Sequence, residues 1–384
     1  MKKSATYLAF GKPSYSSAEI AAVVRVMQSG WIGMGSETIA FESELANYIG
    51  APYVVAVNSC TSALFLSLLV SGVEEGDEVI CPSLTWCSSA NAALYLKAKP
   101  IFCDINHGTL CMDIDDLLSK VTSKTKAVVV VHYGGYALDV SSLRVRLPKN
   151  IVVIEDAAHA FGSRYPDGKL VGTAGNLTCF SFYANKNLST GEGGAIALSN
   201  NSLAEKLQSL RQHALPIDAW KRFTYPQSIL LSNQLNELGY KMNYSDLQAS
   251  IGRVQLTRFE SMQQTRQKIA NIYFDELQDK GIGFQQGCIN AAHAKHLFVI
   301  RLPHADMRYN RDEALLHLRS KNIGASIHYA PLHLMPLYHH GQKPVHLPVT
   351  EAVTRELVTL PISASMTEEE AYYVVDAVKE LLVK

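Results

Sequence analysis

Neither sign of charge prevails in this chain: 35 lysines and arginines balance 35 aspartates and glutamates over 384 residues. Such neutrality supplies no basic field for nucleic acid and no polybasic patch for an anionic membrane. No apolar run approaches the roughly 18 residues that a membrane helix needs. The opening stretch MKKSATYLAFGKPSYSSAEI carries two lysines but no apolar segment of signal-peptide length. Seven cysteines (Cys60, Cys81, Cys87, Cys103, Cys111, Cys179 and Cys288) are odd in number, sit mostly in apolar runs and include no C-x-x-C pair. That pattern excludes a disulfide framework or zinc ribbon and predicts a reduced, cytoplasmic protein. Internal repeats and low-complexity tracts are lacking as well. What remains is an ordinary globular composition, of a length for one large domain with an appendage or for two to three domains.

The patterning that is present alternates. Ser16-x-x-Glu19 predicts a capping box, opening a helix with Ile20, Val23, Val24 and Met27 on one face. Ser36 is the expected cap of a second helix, with Phe41, Leu45, Tyr48 and Ile49 inward and Gly50 as its stop. Strands are predicted at 53–57, 78–81, 99–103, 126–131, 151–155, 177–183 and 194–198, with helices at 61–71, 88–96, 113–121 and 201–214. Strands alternating with helices predict a mostly parallel sheet covered on both faces. The uniformly apolar runs at 127–131 and 151–154 suit its central strands. A long helical stretch from Ser245 to about Lys280 leads out of this unit. Beyond it, strands near 296–302 and 324–329 and helices near 311–321 and from 368, with Thr367 as cap, predict a smaller α/β domain. The expected division is 1–250 and 251–384, and 216–236 reads as loop.

Chemistry concentrates at strand ends. Phe180-Ser181-Phe182-Tyr183-Ala184-Asn185-Lys186 runs into Gly191-Glu192-Gly193-Gly194. A lysine held there can condense with an aldehyde cofactor, although a lone turn lysine is more often solvated. Upstream, Val153-Ile154-Glu155-Asp156-Ala157-Ala158-His159 ends a buried strand in an acid. An acid for a ring nitrogen and a lysine for an aldehyde suit pyridoxal 5'-phosphate (PLP). Asp156 would equally suit a helix cap, and His159 a satisfied core histidine. Asn58-Ser59-Cys60-Thr61-Ser62 reads as strand, polar turn and helix N-terminus, where free N–H groups hold a phosphate or the hydroxyls merely cap. Trp86, after the strand at 78–81, could stack on a ring or pack in a core. His328, His333, His339 and His340 cluster near the C-terminus, but no acid or cysteine joins them at ligand spacing, so no metal is expected.

Two motifs, F-S-F-x-x-x-K-x-x-x-x-G-E-G-G at 180–194 and G-Y-K-M-N-Y-S-D-L-Q-A at 239–249, make the chain resemble the PLP-dependent nucleotide-sugar aminotransferases of the DegT/DnrJ/EryC1/StrS type. The resemblance runs from about Phe10 to the C-terminus and looks closest to the branch making 4-amino-4-deoxy sugars such as UDP-4-amino-4-deoxy-arabinose. It implies an aspartate-aminotransferase-like α/β fold (fold type I), with a large PLP-binding domain and a small C-terminal one. It implies Lys186 and Asp156 as catalytic residues. Cys60 (through its backbone), Thr61 and Ser181 would hold the phosphate, Trp86 the ring, and His159 the region of the phenolic oxygen. Asn243 would reach across a homodimer interface to the partner's phosphate, so that active sites are shared. His328, Trp31, Met34, Tyr183 and Arg222 become substrate-site candidates. The implied reaction moves an amino group from L-glutamate to a nucleotide-linked keto sugar, for lipopolysaccharide or related surface glycans. A cyclitol aminotransferase and a non-catalytic PLP-binding regulator are the alternatives. No metal, nucleic acid or membrane is called for.

Overall fold

The computed structural model describes residues 6–215, 235–302, 308–339 and 343–382. Seven strands form one sheet: β1 (Tyr53–Val57), β2 (Glu78–Pro82), β3 (Lys99–Cys103), β4 (Thr125–Val131), β5 (Val152–Asp156), β6 (Leu177–Ser181) and β7 (Gly194–Leu198). Their order is β1-β7-β6-β5-β4-β2-β3. Only β7 runs against its neighbours; the other pairings are parallel. This is the fold type I sheet. The centre is apolar at nearly every position because both faces are covered, as in Val128, Val129 and Val130, each fully buried. Register sets the site: Val131 pairs with Asp156, Asp156 with Cys179, and Ser181 with Gly194. The carboxyl ends of β4, β5 and β6 therefore lie side by side, where α/β sheets keep their ligands.

Helices α1 (Ser17–Gln28), α2 (Ser36–Ile49) and α3 (Cys60–Val70) precede and follow β1. The Ser16/Glu19 capping box of α1 is present. Its buried face is Glu19, Ala22 and Val26, and the apolar face read from the sequence turns outward: Ile20, Val24 and Met27 are 65%, 45% and 63% exposed. The buried Glu19 accepts from Gln255 and Arg258 of the long helix Asp246–Leu277, and those polar bonds set the face. The expected Ser36 cap is corrected too. Gly35 is the cap residue of α2 and offers no side chain. Instead Asp246 accepts the amides of Gly35 and Thr38 at 2.8 and 2.9 Å. A carboxylate from another helix thus neutralises the α2 N-terminus.

The long helix is continuous and carries a capping box at Ser245 and Gln248. Its first half packs Ala249, Phe259 and Met262 into the core beneath the large sheet. Its second half packs Ile269, Ala270, Tyr273 and Leu277 into another core, with Leu8, the helices Arg311–Ser320 and Glu368–Lys379, and a three-stranded antiparallel sheet. That sheet is β8 (Gly283–Phe284), β9 (Phe298–Arg301) and β10 (Leu357–Leu360). Thr367 caps the last helix as predicted. The strand expected at 324–329 does not form: only Ser326 bridges, to Thr359, and the segment turns toward the large sheet. Arg222 and most of the 216–236 loop lie outside the described residues.

Candidate active site

A cavity of about 380 Å³ opens at the carboxyl ends of β4, β5 and β6. Of the predicted residues, Cys60, Thr61, Trp86, Asp156, His159, Ser181, Tyr183, Lys186 and His328 all line it. Trp31, Met34 and Asn243 do not. They gather elsewhere, where the Trp31 indole N–H donates to the Met34 carbonyl at 3.2 Å and the Asn243 amide lies 3.9 Å from the Met34 sulfur. The Asn243 Oδ1 is buried and accepts no hydrogen bond from any described residue.

Lys186 follows β6 by five residues, in a turn closed by its own N–H to the Tyr183 carbonyl at 2.9 Å. Burial draws its ammonium down to about 8, against the pull of Cys60 and Asp156. Across the cavity, burial pushes the Asp156 carboxyl above its ordinary value, opposed by the Ser89 hydroxyl, the Ala158 amide and the Lys186 charge. Ser89 donates to Asp156 Oδ2 at 2.6 Å and the Ala158 N–H to Oδ1 at 3.1 Å. No helix follows Asp156, which removes the helix-cap reading. A further cation at its open side would relieve the cost of its burial.

Two helix N-termini meet nearby. Thr61, in the first turn of α3, shares a 2.8 Å hydroxyl bond with Ser88, the first residue of α4 (Ser88–Leu94). Ser59 caps α3 through the Ser62 amide, while the Cys60 and Thr61 amides belong to the first turn, which has no intrahelical acceptor. Gly194 lets β7 start against this turn: a Cβ there would sit 2.6 Å from the Cys60 nitrogen. With Ser181 lining the same cavity, these groups suit an anion. The cavity thus offers an anion cradle, a depressed lysine and a carboxylate in need of a cation, and the residues present fit PLP.

Several lining or supporting residues had no chemical reading in the sequence. The Gly134 N–H donates to His159 Nδ1 at 3.3 Å, so His159 Nε2 carries a proton and donates to the Tyr329 oxygen at 3.0 Å. That leaves the Tyr329 O–H free to donate toward the cavity, which Tyr329 also lines. Its ring lies 5.7 Å from that of Trp86. His296 lies 3.4 Å from Lys186 Nζ and its ring 4.4 Å from His159. Burial and the nearby Lys186 charge keep His159 and His296 well below the usual histidine range and draw His328 to about 4, so all three are neutral. Of these, only His296 and Tyr329 had no role in the sequence reading, each being an unassigned His or Tyr near a predicted strand. Among the described residues no group of three or more acids, histidines and cysteines could hold a metal ion.

A lysine and a carboxylate facing one anion-binding cavity, at the carboxyl edge of this sheet, define a PLP enzyme of fold type I. Comparison with known proteins gives the particular lineage. Residues 13–379 match the DegT/DnrJ/EryC1/StrS aminotransferase family. The spore coat polysaccharide biosynthesis protein SpsC of Bacillus subtilis is 37% identical over 381 residues, covering 98% of this chain and 97% of that protein. Among solved structures, the PLP form of Spr1654 from Streptococcus pneumoniae superposes with a TM-score of 0.89 at 29% identity, covering 98% of this chain and all of that one. The aminotransferase TlmJ from Streptoalloteichus hindustanus does so with 0.88 at 31% identity, covering 97% and 98%. The chain therefore belongs to the DegT/DnrJ/EryC1/StrS family, the PLP-dependent sugar aminotransferases. Its cofactor is PLP.

Proposed function

We propose that the protein moves an amino group from L-glutamate to the keto group of a nucleotide-linked deoxy sugar, within surface polysaccharide or related glycan synthesis. The observation that carries the reading is Lys186 and Asp156 facing one cavity, each charged form strained by burial. When bound, PLP supplies an aldehyde carbon and a pyridinium ring that accepts the electron pair released at a substrate carbon. Asp156 would hold the ring's proton in place. The Cys60 and Thr61 amides and Ser181 would hold the phosphate. Lys186 would be the attachment point, and its free Nζ would take the proton from the amine donor's α-carbon. An amine drawn to about 8 is matched to that task near neutral pH. Tyr329, backed by His159, offers an O–H to an oxygen in the cavity. Trp86 would lie against the ring, and Tyr183 and His328 are our acceptor-side candidates, with Trp31, Met34 and Arg222.

The sugar reading is supported by the printed name of SpsC, and the finer placement, amination at C4 as in the 4-amino-4-deoxy-arabinose branch, by the motif resemblance. A cytoplasmic location is supported by the free cysteines, and a homodimer with shared sites by two features. Ile20, Val24 and Met27 form an exposed apolar face on α1, and Asn243, Met34 and Trp31 cluster away from their own chain's cavity. We assign the large PLP-binding domain to 1–250 and the small one to 251–384.

The test is a two-stage screen. Glutamate should convert the PLP spectrum to that of the aminated cofactor. UDP-, dTDP- and GDP-linked keto sugars are then added singly, and one should restore the PLP spectrum. Restoration by a keto-inositol alone would establish the cyclitol reading. No half-reaction with glutamate or any other amine would leave a PLP-binding regulator.

A further inference from the structure

The strongest unexplained contact at the site is His296 against Lys186. His296 is 3% exposed and precedes β9, far from the lysine motif in sequence. Its tautomer follows from its neighbours. The Ala294 carbonyl can only accept, and it receives the Asn187 side-chain amide at 2.6 Å. That fixes the Asn187 flip, so Oδ1 faces His296 Nδ1 at 3.1 Å. Nδ1 must therefore carry the proton, leaving a lone pair on Nε2, 3.4 Å from Lys186 Nζ. Gln263 also donates to the Ala294 carbonyl, at 2.7 Å, pinning the chain from the long helix.

We propose that His296 is a positioning residue for Lys186: the free Nζ donates one N–H to His296 Nε2, which fixes the amine at the cavity wall. Asn187 holds His296 in the one tautomer that can accept. The proposal rests on Lys186 being the attachment lysine, and a borohydride label tests that separately. If the label falls elsewhere, the attachment reading fails. If it falls on Lys186 and the tests below fail, only the positioning role is lost.

The groups that bear on this titration are Cys60, Asp156, His159, His296 and His328 around Lys186, and Lys186, His159, Arg266 and His328 around His296. Burial, then the positive neighbours, keeps His296 neutral. A neutral acceptor favours the ammonium form of Lys186, so removing it should lower the lysine's titration further.

The experiment uses full-length protein stripped of cofactor. PLP is added across a pH series, and its capture is quenched with borohydride and counted. Capture needs the neutral amine, so the wild-type rate should rise through a midpoint near 8. In His296→Phe the midpoint should fall by about one unit. His296→Gln, whose amide oxygen can accept, should return it toward the wild-type value. In parallel, ¹⁵N imidazole NMR of the wild type should find His296 neutral with the proton on Nδ1. An unmoved midpoint in a His296→Phe chain with native near-UV circular dichroism would overturn the proposal. So would an Nε2-protonated His296, a result that needs no variant to fold.

Discussion

Two lysines, the half-buried Lys186 and the buried Lys295, are both drawn to about 8, and in both loss of solvent is the main cause. Their surroundings differ. The Lys295 ammonium donates to the carbonyls of Asn290 and His293, the latter at 2.8 Å, and ties its own loop. Lys186 faces a cavity, with Asp156 across it and a histidine lone pair beside it. A depressed pKa marks burial. Access to a cavity and an unspent nitrogen lone pair mark chemistry. The adjacent acids of β5 repeat the contrast. Although burial opposes it, His132, Tyr165 and Asn176 hold the Glu155 carboxyl below its ordinary value. Asp156, one residue on and on the opposite face of the strand, is raised. Glu155 is spent on structure and Asp156 has a side left for a ligand.

The sharpest way to separate the lysines is to remove each. Lys186→Ala should cut turnover by about three orders of magnitude or more while PLP still binds noncovalently, since nucleophile and proton carrier are lost together. Lys295→Met should leave kcat within about threefold and lower stability by roughly 1–3 kcal/mol, because two carbonyls lose their donor. Urea unfolding and steady-state kinetics on the same samples distinguish the two. Equal losses of activity at equal stability would erase the distinction.

The acids should divide in the same way with smaller effects. Asp156→Asn should slow both half-reactions by about two orders of magnitude or more with little change in unfolding. Glu155→Gln should destabilise by about 2–4 kcal/mol and spare the chemistry of the folded fraction. Glu155 has a depressed folded-state pKa. Its contribution is present above the unfolded value near 4.5 and is lost as pH falls through the lower folded one. In Glu155→Gln that part of the acid-side loss should vanish.

On the alkaline side the sign reverses. A lysine drawn from 10.5 to about 8 costs the cofactor-free fold stability below about 8, and the cost is relieved as pH rises toward 10.5. Cofactor-free wild type should therefore gain more between those limits than Lys186→Ala does. An identical slope in both samples would place the Lys186 amine in solvent.

Much of this was legible from residues that act locally. The strands at 53–57, 99–103 and 194–198 fall where their apolar runs predicted. The lysine motif, Asp156 and the Cys60–Thr61 turn converge because each ends or follows a strand of one sheet. What was not legible depends on partners far away in sequence. Ser36 is displaced as a cap by Asp246. Ile20, Val24 and Met27 share one face, but periodicity says nothing about what covers an apolar stripe, and this one is exposed. His296, Tyr329 and Ser89 reach the site through tertiary packing, and their local sequence carries no chemical pattern.

A smaller effect tests the shared site. Asn243→Ala should weaken PLP binding and make the dimer more dependent on cofactor. Mixing inactive Lys186→Ala chains with inactive Asn243→Asp chains should give heterodimers with one intact site, recovering up to half of the wild-type activity per dimer. No recovery after verified chain exchange, or a fully active monomer, would assign each site to a single chain.

The most direct measurement is borohydride reduction of the PLP-loaded protein, followed by peptide mapping of the fixed pyridoxyl group. Lys186 and Lys295 titrate alike yet face different surroundings, so the map decides between burial and site geometry as the origin of reactivity. The label should fall on Lys186 in the peptide around Phe182–Gly191. A label on Lys295, or on any other lysine, would contradict the account.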